Sequence, residues 1–184
     1  MIILASASPR RKEILSLITD NFAVIPAESE CEINKSLLPE EAIIEVAKSK
    51  ASEVFSVHTG DTVIGSDTVV MLEGEYLGKP KNAEQAKQML RLLSGKTHKV
   101  ITAVSILAPN NDIAFASIAL VEFCALTDSE IDEYVASGEP MDKAGAYGIQ
   151  GKGAKFVKKI DGDFYTVMGL PCAQLYASLK SIGV

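Results

Sequence analysis

Strand-like and helix-like apolar patterns alternate along the first part of the chain, and that alternation restricts the fold more than any other feature. Ile2-Ile3-Leu4-Ala5 reads as a short buried strand. Ser8 followed by Pro9 is a helix start, with serine as N-cap and proline at the first helical position. Ile14, Leu15 and Ile18 then supply an apolar stripe. Phe22 to Ala27 is a second strand, and Pro39 opens a second helix with Ile43, Val46, Ala47 and Val54 on one face. Thr62 to Leu72 is β-rich, broken only by the polar triplet Ser66-Asp67-Thr68. Such alternation belongs to α/β proteins.

Downstream, Glu73-Gly74-Glu75 is a hairpin turn into a short strand that ends at Leu77-Gly78-Lys79-Pro80, and a helix runs from Ala83 to Leu93 before Ser94-Gly95 stops it. Lys99 to Ala108 and Ile113 to Cys124 flank a Pro-Asn-Asn-Asp turn and predict a second hairpin. Thr127-Asp-Ser-Glu130 is a capping box. A glycine-rich stretch from Ala144 to Gly153, a hairpin through Asp161-Gly162 and a helix starting at Pro171 complete the reading. No linker, repeat or low-complexity segment interrupts it. The expectation is one α/β domain over residues 1–184 with a mixed sheet.

Composition excludes several classes of function. The 184 residues can bury a little over ~70% of their unfolded surface, and no apolar run approaches the roughly 20 residues of a membrane helix. Arg10, Arg11 and Lys12 follow the apolar start, the reverse of a signal peptide, so a cytoplasmic protein with no membrane partner is expected. Cys31, Cys124 and Cys172 are scattered and form no CxxC pair, against a disulfide framework or structural zinc. A net charge of −6 and the lack of a long basic helix face argue against nucleic acid as a partner. His58 and His98 are the two imidazoles, neither in a recognisable catalytic setting. Oligomeric state, a homodimer included, stays open.

Five places carry candidate chemistry. Ser6-Ala-Ser-Pro-Arg-Arg11 joins a strand to a helix N-terminus, where free N–H groups and the dipole suit a phosphate, and the guanidinium groups can pair with its oxygens. The alternative is an N-cap followed by a solvated basic turn. Asp67, inside an apolar strand, must be paired, bind metal or shift its pKa; the alternative is a strand-end aspartate satisfied by backbone. Lys50, seven residues after Ile43, lies close to the apolar helix face, and Lys79 sits in a Leu-Gly-Lys-Pro turn. Each reads alone as a solvated lysine. Glu30 and Glu32 form an acidic loop of the hard oxygen ligands that Mg²⁺ prefers, or a solvated turn. In Asp142 to Gly153, small residues around Tyr147 suggest backbone that must come close to something, and the Gln150 amide matches part of the uracil or thymine edge. A glycine-rich surface loop is the competing account. Ser94-Gly-Lys-Thr97 imitates the end of a P-loop, but Leu90 stands where its first glycine belongs and the order runs helix to strand, so it is a helix C-cap.

In order, SASPRR, GSDTVV, LGKP, LSGKTHKV and GEPMDKAGAYGIQGKGAKFV resemble the Maf family of nucleoside triphosphate pyrophosphatases over essentially the whole chain. The GAYGIQGKG stretch is similar to the branch acting on dTTP and UTP. The resemblance implies a Maf/ITPase-like fold, an elongated mixed β-sheet flanked by helices with a cleft between two lobes. It implies Asp67 as the catalytic acid/base, Arg11, Thr68 and Gln150 as setters of substrate choice, and Ser6, Arg10, Lys50 and Lys79 on the phosphates. Glu30 with Asp67 would bind a divalent cation, Mg²⁺ or Mn²⁺. A second acid commonly follows the Glu30 position in the family; here Cys31 stands there and Glu32 one step on, so the loop's metal ligand is open.

The expected reaction cuts a dTTP or UTP to monophosphate and pyrophosphate by attack of water on the α-phosphorus. Modified pyrimidine nucleotides are compatible with the same site. Since the family is also associated with arrest of septum formation and cell division, a nucleotide-binding regulator with little turnover is the competing function.

Overall fold

The computed structural model describes residues 1–28 and 31–184. Seven strands form one mixed sheet: β1 (Ile2–Leu4), β2 (Phe22–Val24), β3 (Thr62–Leu72), β4 (Glu75–Leu77), β5 (Thr97–Ala108), β6 (Asn111–Phe123) and β7 (Val157–Asp161). Their order is β2-β1-β3-β5-β6-β7, with β4 also on β3. β1 is parallel to β2 and to β3, whereas β4 on β3 and β7 on β6 are antiparallel. The helices are α1 (Pro9–Ser16), α2 (Pro39–Phe55), α3 (Ala83–Leu93), α4 (Asp128–Ala136), α5 (Phe164–Met168) and α6 (Cys172–Ser181). No helix among the described residues is long and apolar enough to cross a membrane.

The chain divides into two compact units. The first holds Met1–Thr68, Thr102–Ser117 and Gly169–Val184; the second holds Val69–Ile101 and Ile118–Met168. In the first unit, Ile3 and Val63 of the parallel strands, with Ala5 just after β1, bury against Ala51 and Val54 of α2. The parallel β1 and β3 need a long crossover, and the segment between them supplies it. In the second unit, Ala86, Met89, Leu90 and Leu93 of α3 and Ile131, Tyr134 and Val135 of α4 share a core with Val121 and Phe123.

Local signals account for many of the boundaries. Asn82 caps α3 by accepting from Gln85 N–H at 2.9 Å, and Gln85 Oε1 accepts in return from Lys81 N–H at 2.7 Å. The capping box at α4 is complete: Glu130 N–H donates to Thr127 Oγ1 and Thr127 N–H donates to Glu130 Oε2. Glu73 and Gly74, with φ of 52° and 91°, make the tight β3–β4 turn. Ser94 is the C-cap residue of α3, and its hydroxyl accepts from Leu126 N–H, which leaves the P-loop imitation a structural role.

Four expectations need correction. The second strand stops at Val24, short of the expected Ala27. Ser8 occupies the N-cap position of α1, but its side chain makes no capping bond; instead its N–H donates to Ser6 Oγ at 3.3 Å. The β5–β6 turn is tighter than the four residues expected, since Asn111 already belongs to β6. Asp161-Gly162 is not a hairpin turn. β7 ends there and Asp163 caps the next helix, its carboxylate accepting from Tyr165 and Thr166 N–H at 3.1 Å each.

Candidate active site

The chemistry-bearing residues of the first unit converge on the middle of β3, and Gly65 is the reason. A Cβ there would overlap the Ala47 carbonyl oxygen and lie 2.7 Å from Ala51 N, both backbone atoms of α2. With only hydrogen at Gly65 and methyls at Ala47 and Ala51, α2 lies flush against the strand. Lys50, one residue before Ala51, therefore reaches Asp67, two residues beyond Gly65. Its Nζ stands 2.5 Å from Asp67 Oδ1, with side-chain exposures of 24% and 20%. The lysine that alone read as solvated is one half of a partly shielded ion pair.

Arg11 is turned inward from the first turns of α1. Its Nε donates to the Gly169 carbonyl at 2.8 Å, Nη1 to Ser6 Oγ at 3.0 Å and Nη2 to Thr68 Oγ1 at 3.1 Å. Ser66 Oγ also donates to the Gly169 carbonyl, at 3.1 Å, and Thr68 Oγ1 shares a 2.9 Å hydrogen bond with Thr102. Burial pushes the guanidinium below its ordinary pKa; the negative charge of Asp67 opposes that shift and the positive charge of Arg10 adds to it. Arg11 thus feels the charges of both Asp67 and Arg10. Three of the five guanidinium N–H groups are committed to protein, which fixes the plane of the other two.

The structure thereby brings together Ser6, Arg10, Arg11, Lys50, Asp67 and Thr68. Ser66, Thr102 and Gly169 complete the group and escaped the sequence reading. Ser66 stood in the polar triplet. Thr102 and Gly169 carry no local signal, being distant in sequence from the side chains they meet. Glu30 lies outside the described residues, and Glu32 is exposed. Among the described residues no three His, Cys, Asp or Glu side chains cluster as a ready metal cage. The fit to a cation therefore rests on Asp67, whose Oδ2 has no donor among the described residues and is the hard anionic oxygen that Mg²⁺ or Mn²⁺ takes, with waters and phosphate oxygens as remaining ligands.

Lys79 and Gln150 belong to the second unit. Lys79 is exposed, directly after Gly78, whose carbonyl accepts from Gly145 N–H at 3.0 Å. That bond ties the Leu-Gly-Lys-Pro turn to the start of the glycine-rich stretch. Gln150 is exposed, with extended backbone before a short 3-10 turn over Gly151–Phe156. The glycines around it come close to something, as expected, but that something is the chain itself. A Cβ on Gly153 would meet the Gly148 carbonyl oxygen and lie 2.7 Å from Tyr134 Oη, and one on Gly151, at φ of 78°, would lie 2.8 Å from Glu139 Oε2. Burial alone would raise the Glu139 carboxyl, but N–H groups of Lys152 and Gly153, the Tyr134 hydroxyl and the Lys143 charge together hold it below its ordinary value.

Arg10 and Arg11 in the first turn of α1, near the partly shielded carboxylate of Asp67 on strand β3, agree with one family over the whole chain. The Maf-like protein family matches residues 1–182. This chain belongs to the Maf family. A Bacillus velezensis protein named dTTP/UTP pyrophosphatase is 49% identical over 183 residues, 100% of this chain and 97% of that one. A Bacillus mycoides protein of the same name is 50% identical over 179 residues, 97% of this chain and 94% of its own. Among solved structures, the Staphylococcus aureus Ham1 protein superposes with a TM-score of 0.51, 16% identity and 98% coverage of both chains. At that identity the likeness speaks for the fold, and it agrees with the Maf/ITPase-like architecture expected.

Proposed function

We propose that this chain is a nucleoside triphosphate pyrophosphatase that converts dTTP and UTP to monophosphate and pyrophosphate, with residues 1–184 as one functional domain. The observation that carries the reading is the near-half identity, end to end, to Maf proteins named dTTP/UTP pyrophosphatase. The charge layout supports it. A triphosphate carries about four negative charges at neutral pH, and an acidic protein can bind it only where cations are concentrated. Arg10 and Arg11 supply that concentration in the first unit, and Lys79 is the further phosphate contact carried over from the family pattern.

In this reading Asp67 is the acid/base residue. Lys50 holds its Oδ1 and so keeps the carboxylate oriented, and Asp67 takes the proton that the attacking water gives up. The water oxygen bonds to the α-phosphorus, the bond from that phosphorus to the αβ-bridging oxygen breaks, and pyrophosphate leaves. Arg11, fixed by Gly169, Ser6 and Thr68, holds phosphate charge without reorganising during the step. Asp67, with Glu30 as the second family ligand, would hold a divalent cation, which when bound would supply neutralisation of the leaving pyrophosphate. Gln150 reads the base, offering donor and acceptor from one amide.

The test is pyrophosphate release from UTP, dTTP, CTP and purine triphosphates with Mg²⁺ or Mn²⁺ and with EDTA. Turnover of UTP and dTTP that EDTA abolishes, with purines slow, supports reaction, cation and base preference together. Asp67→Asn should abolish it. Nucleotide binding without turnover of any substrate overturns the enzyme reading and leaves a binding regulator.

A further inference from the structure

We propose that Glu139 is a positioning residue that sets base selectivity by pinning the loop bearing Gln150. The inference rests on the reading of Gln150 as the base-contacting residue. The loop from Gly148 to Gly153 has a closed neck, since Gly153 lies against the Gly148 carbonyl oxygen so tightly that no side chain fits there. Gln150 stands in the middle of those six residues. Both sides of the loop are tied to one hydrogen-bonded pair, Tyr134 and Glu139. Tyr134, 1% exposed, accepts from Gly148 N–H at 3.1 Å and donates to Glu139 Oε1 at 3.0 Å. Glu139 Oε2 accepts from Lys152 N–H at 3.0 Å, and Oε1 also accepts from Gly153 N–H at 3.2 Å.

Glu139 itself has no freedom to follow the loop. Its backbone carbonyl accepts from Lys143 Nζ at 2.6 Å, and Pro140 follows it in a short 3-10 turn. Two carboxylate oxygens therefore serve three donors: two consecutive N–H groups on the C-terminal side of Gln150, and the Tyr134 hydroxyl, which itself holds Gly148 on the N-terminal side. A glutamine at position 139 has the same shape but one acceptor oxygen. Whichever way its amide turns, its NH₂ faces a backbone N–H of Lys152 or Gly153, and one of the two tethers on the C-terminal side of the loop is lost. Selectivity between bases depends on a fixed donor–acceptor pattern, because a mobile amide can turn to suit either partner. Glu139 needs no contact with nucleotide for this role.

The experiment compares Glu139→Gln, Tyr134→Phe and Gln150→Ala with the wild type. The readouts are kcat and KM for UTP, dTTP and CTP, and amide hydrogen exchange at Gly148, Lys152 and Gly153. Glu139→Gln should raise KM for UTP and dTTP about 10-fold, the scale of one lost hydrogen bond, with kcat for both nearly unchanged. The preference for UTP over CTP should fall in step, and Lys152 or Gly153 should exchange faster. Tyr134→Phe should act in the same direction through Gly148. Should Gln150→Ala lose the preference while Glu139→Gln and Tyr134→Phe keep it, the inference is overturned and the reading of Gln150 stands. A uniform fall in kcat for all three nucleotides also overturns it, because that is the mark of general unfolding. An unchanged preference in Gln150→Ala overturns the reading of Gln150 and this inference with it.

Discussion

Lys50 Nζ lies 2.5 Å from Asp67 Oδ1, joining the second helix of the chain to the middle of β3. The pair is partly shielded, so its Coulomb term is stronger than at an open surface, yet water still reaches both groups. That combination suits a carboxylate that must stay oriented and still meet substrate.

Replacing Lys50 with methionine keeps the aliphatic stem against the helix face and removes the donor. Because the pair is still partly solvated, the expected change in stability is under about 1 kcal/mol. Turnover should fall by about 10–100-fold, the usual effect of removing a group that orients a first ligand or acid/base residue. Steady-state kinetics alongside urea unfolding separates the two effects. A variant that keeps more than a tenth of wild-type kcat would show that Asp67 is oriented by something else.

Arg11→Lys keeps the charge and loses the shape. A single ammonium cannot reach the Gly169 carbonyl, Ser6 Oγ and Thr68 Oγ1 in the directions that three guanidinium nitrogens occupy. Buried acceptors would be left short of donors, at a cost of about 1–3 kcal/mol. The expected result is a lowered urea midpoint together with a rise in KM for UTP. Wild-type values for both would mean that charge alone is what this position contributes.

Gly65→Ala tests the close approach of helix to strand. The new methyl meets backbone, which cannot rotate away, so α2 must shift; overpacking of this kind costs about 1–3 kcal/mol. The shift also separates Lys50 from Asp67, so activity should fall further than stability explains. Gly60→Ala is the control, since nothing lies within 4 Å of a Cβ there. Equal urea midpoints for the two variants would refute the packing argument.

These relationships divide by how far apart in sequence their partners lie. The bounds of β3 and α3, the Glu73-Gly74 turn and the Thr127–Glu130 capping box were legible because each is decided by residues within a few positions. The inward turn of Arg11 was not, because Gly169 is 158 residues away and nothing near Arg11 announces it. Lys50 was placed near the apolar face from spacing, but its partner depends on how α2 sits on β3, which Gly65 decides. The misread at Asp161-Gly162 had a usable signal: Asp163, one residue on, is a helix-capping type, and it competes with the Asp-Gly turn pattern. The glycines near Gln150 announced a close approach without saying to what, and Glu139 gave no sign of being the answer.

The last prediction concerns pH. His98 is 1% exposed, its Nε2 is 2.8 Å from Tyr147 Oη, and its Nδ1 has no partner among the described residues. Phe123 and Tyr147 pack edge-on against the ring. Burial drives its pKa down from the ordinary 6.5 to about 4, so the folded protein holds a neutral imidazole. Between those values the unfolded chain binds a proton that the folded chain does not, and stability rises with pH there. The contribution is complete above about 6.5 and is lost as pH falls towards about 4, for a total of order 3 kcal/mol at 1.36 kcal/mol per unit. Urea midpoints measured from pH 7.5 to 4.5 should therefore decline. In His98→Phe, which loses the Tyr147 hydrogen bond at every pH, the midpoint should start lower and decline less steeply. Parallel slopes for the two proteins would assign the acid sensitivity to other groups and return His98 to an ordinary pKa.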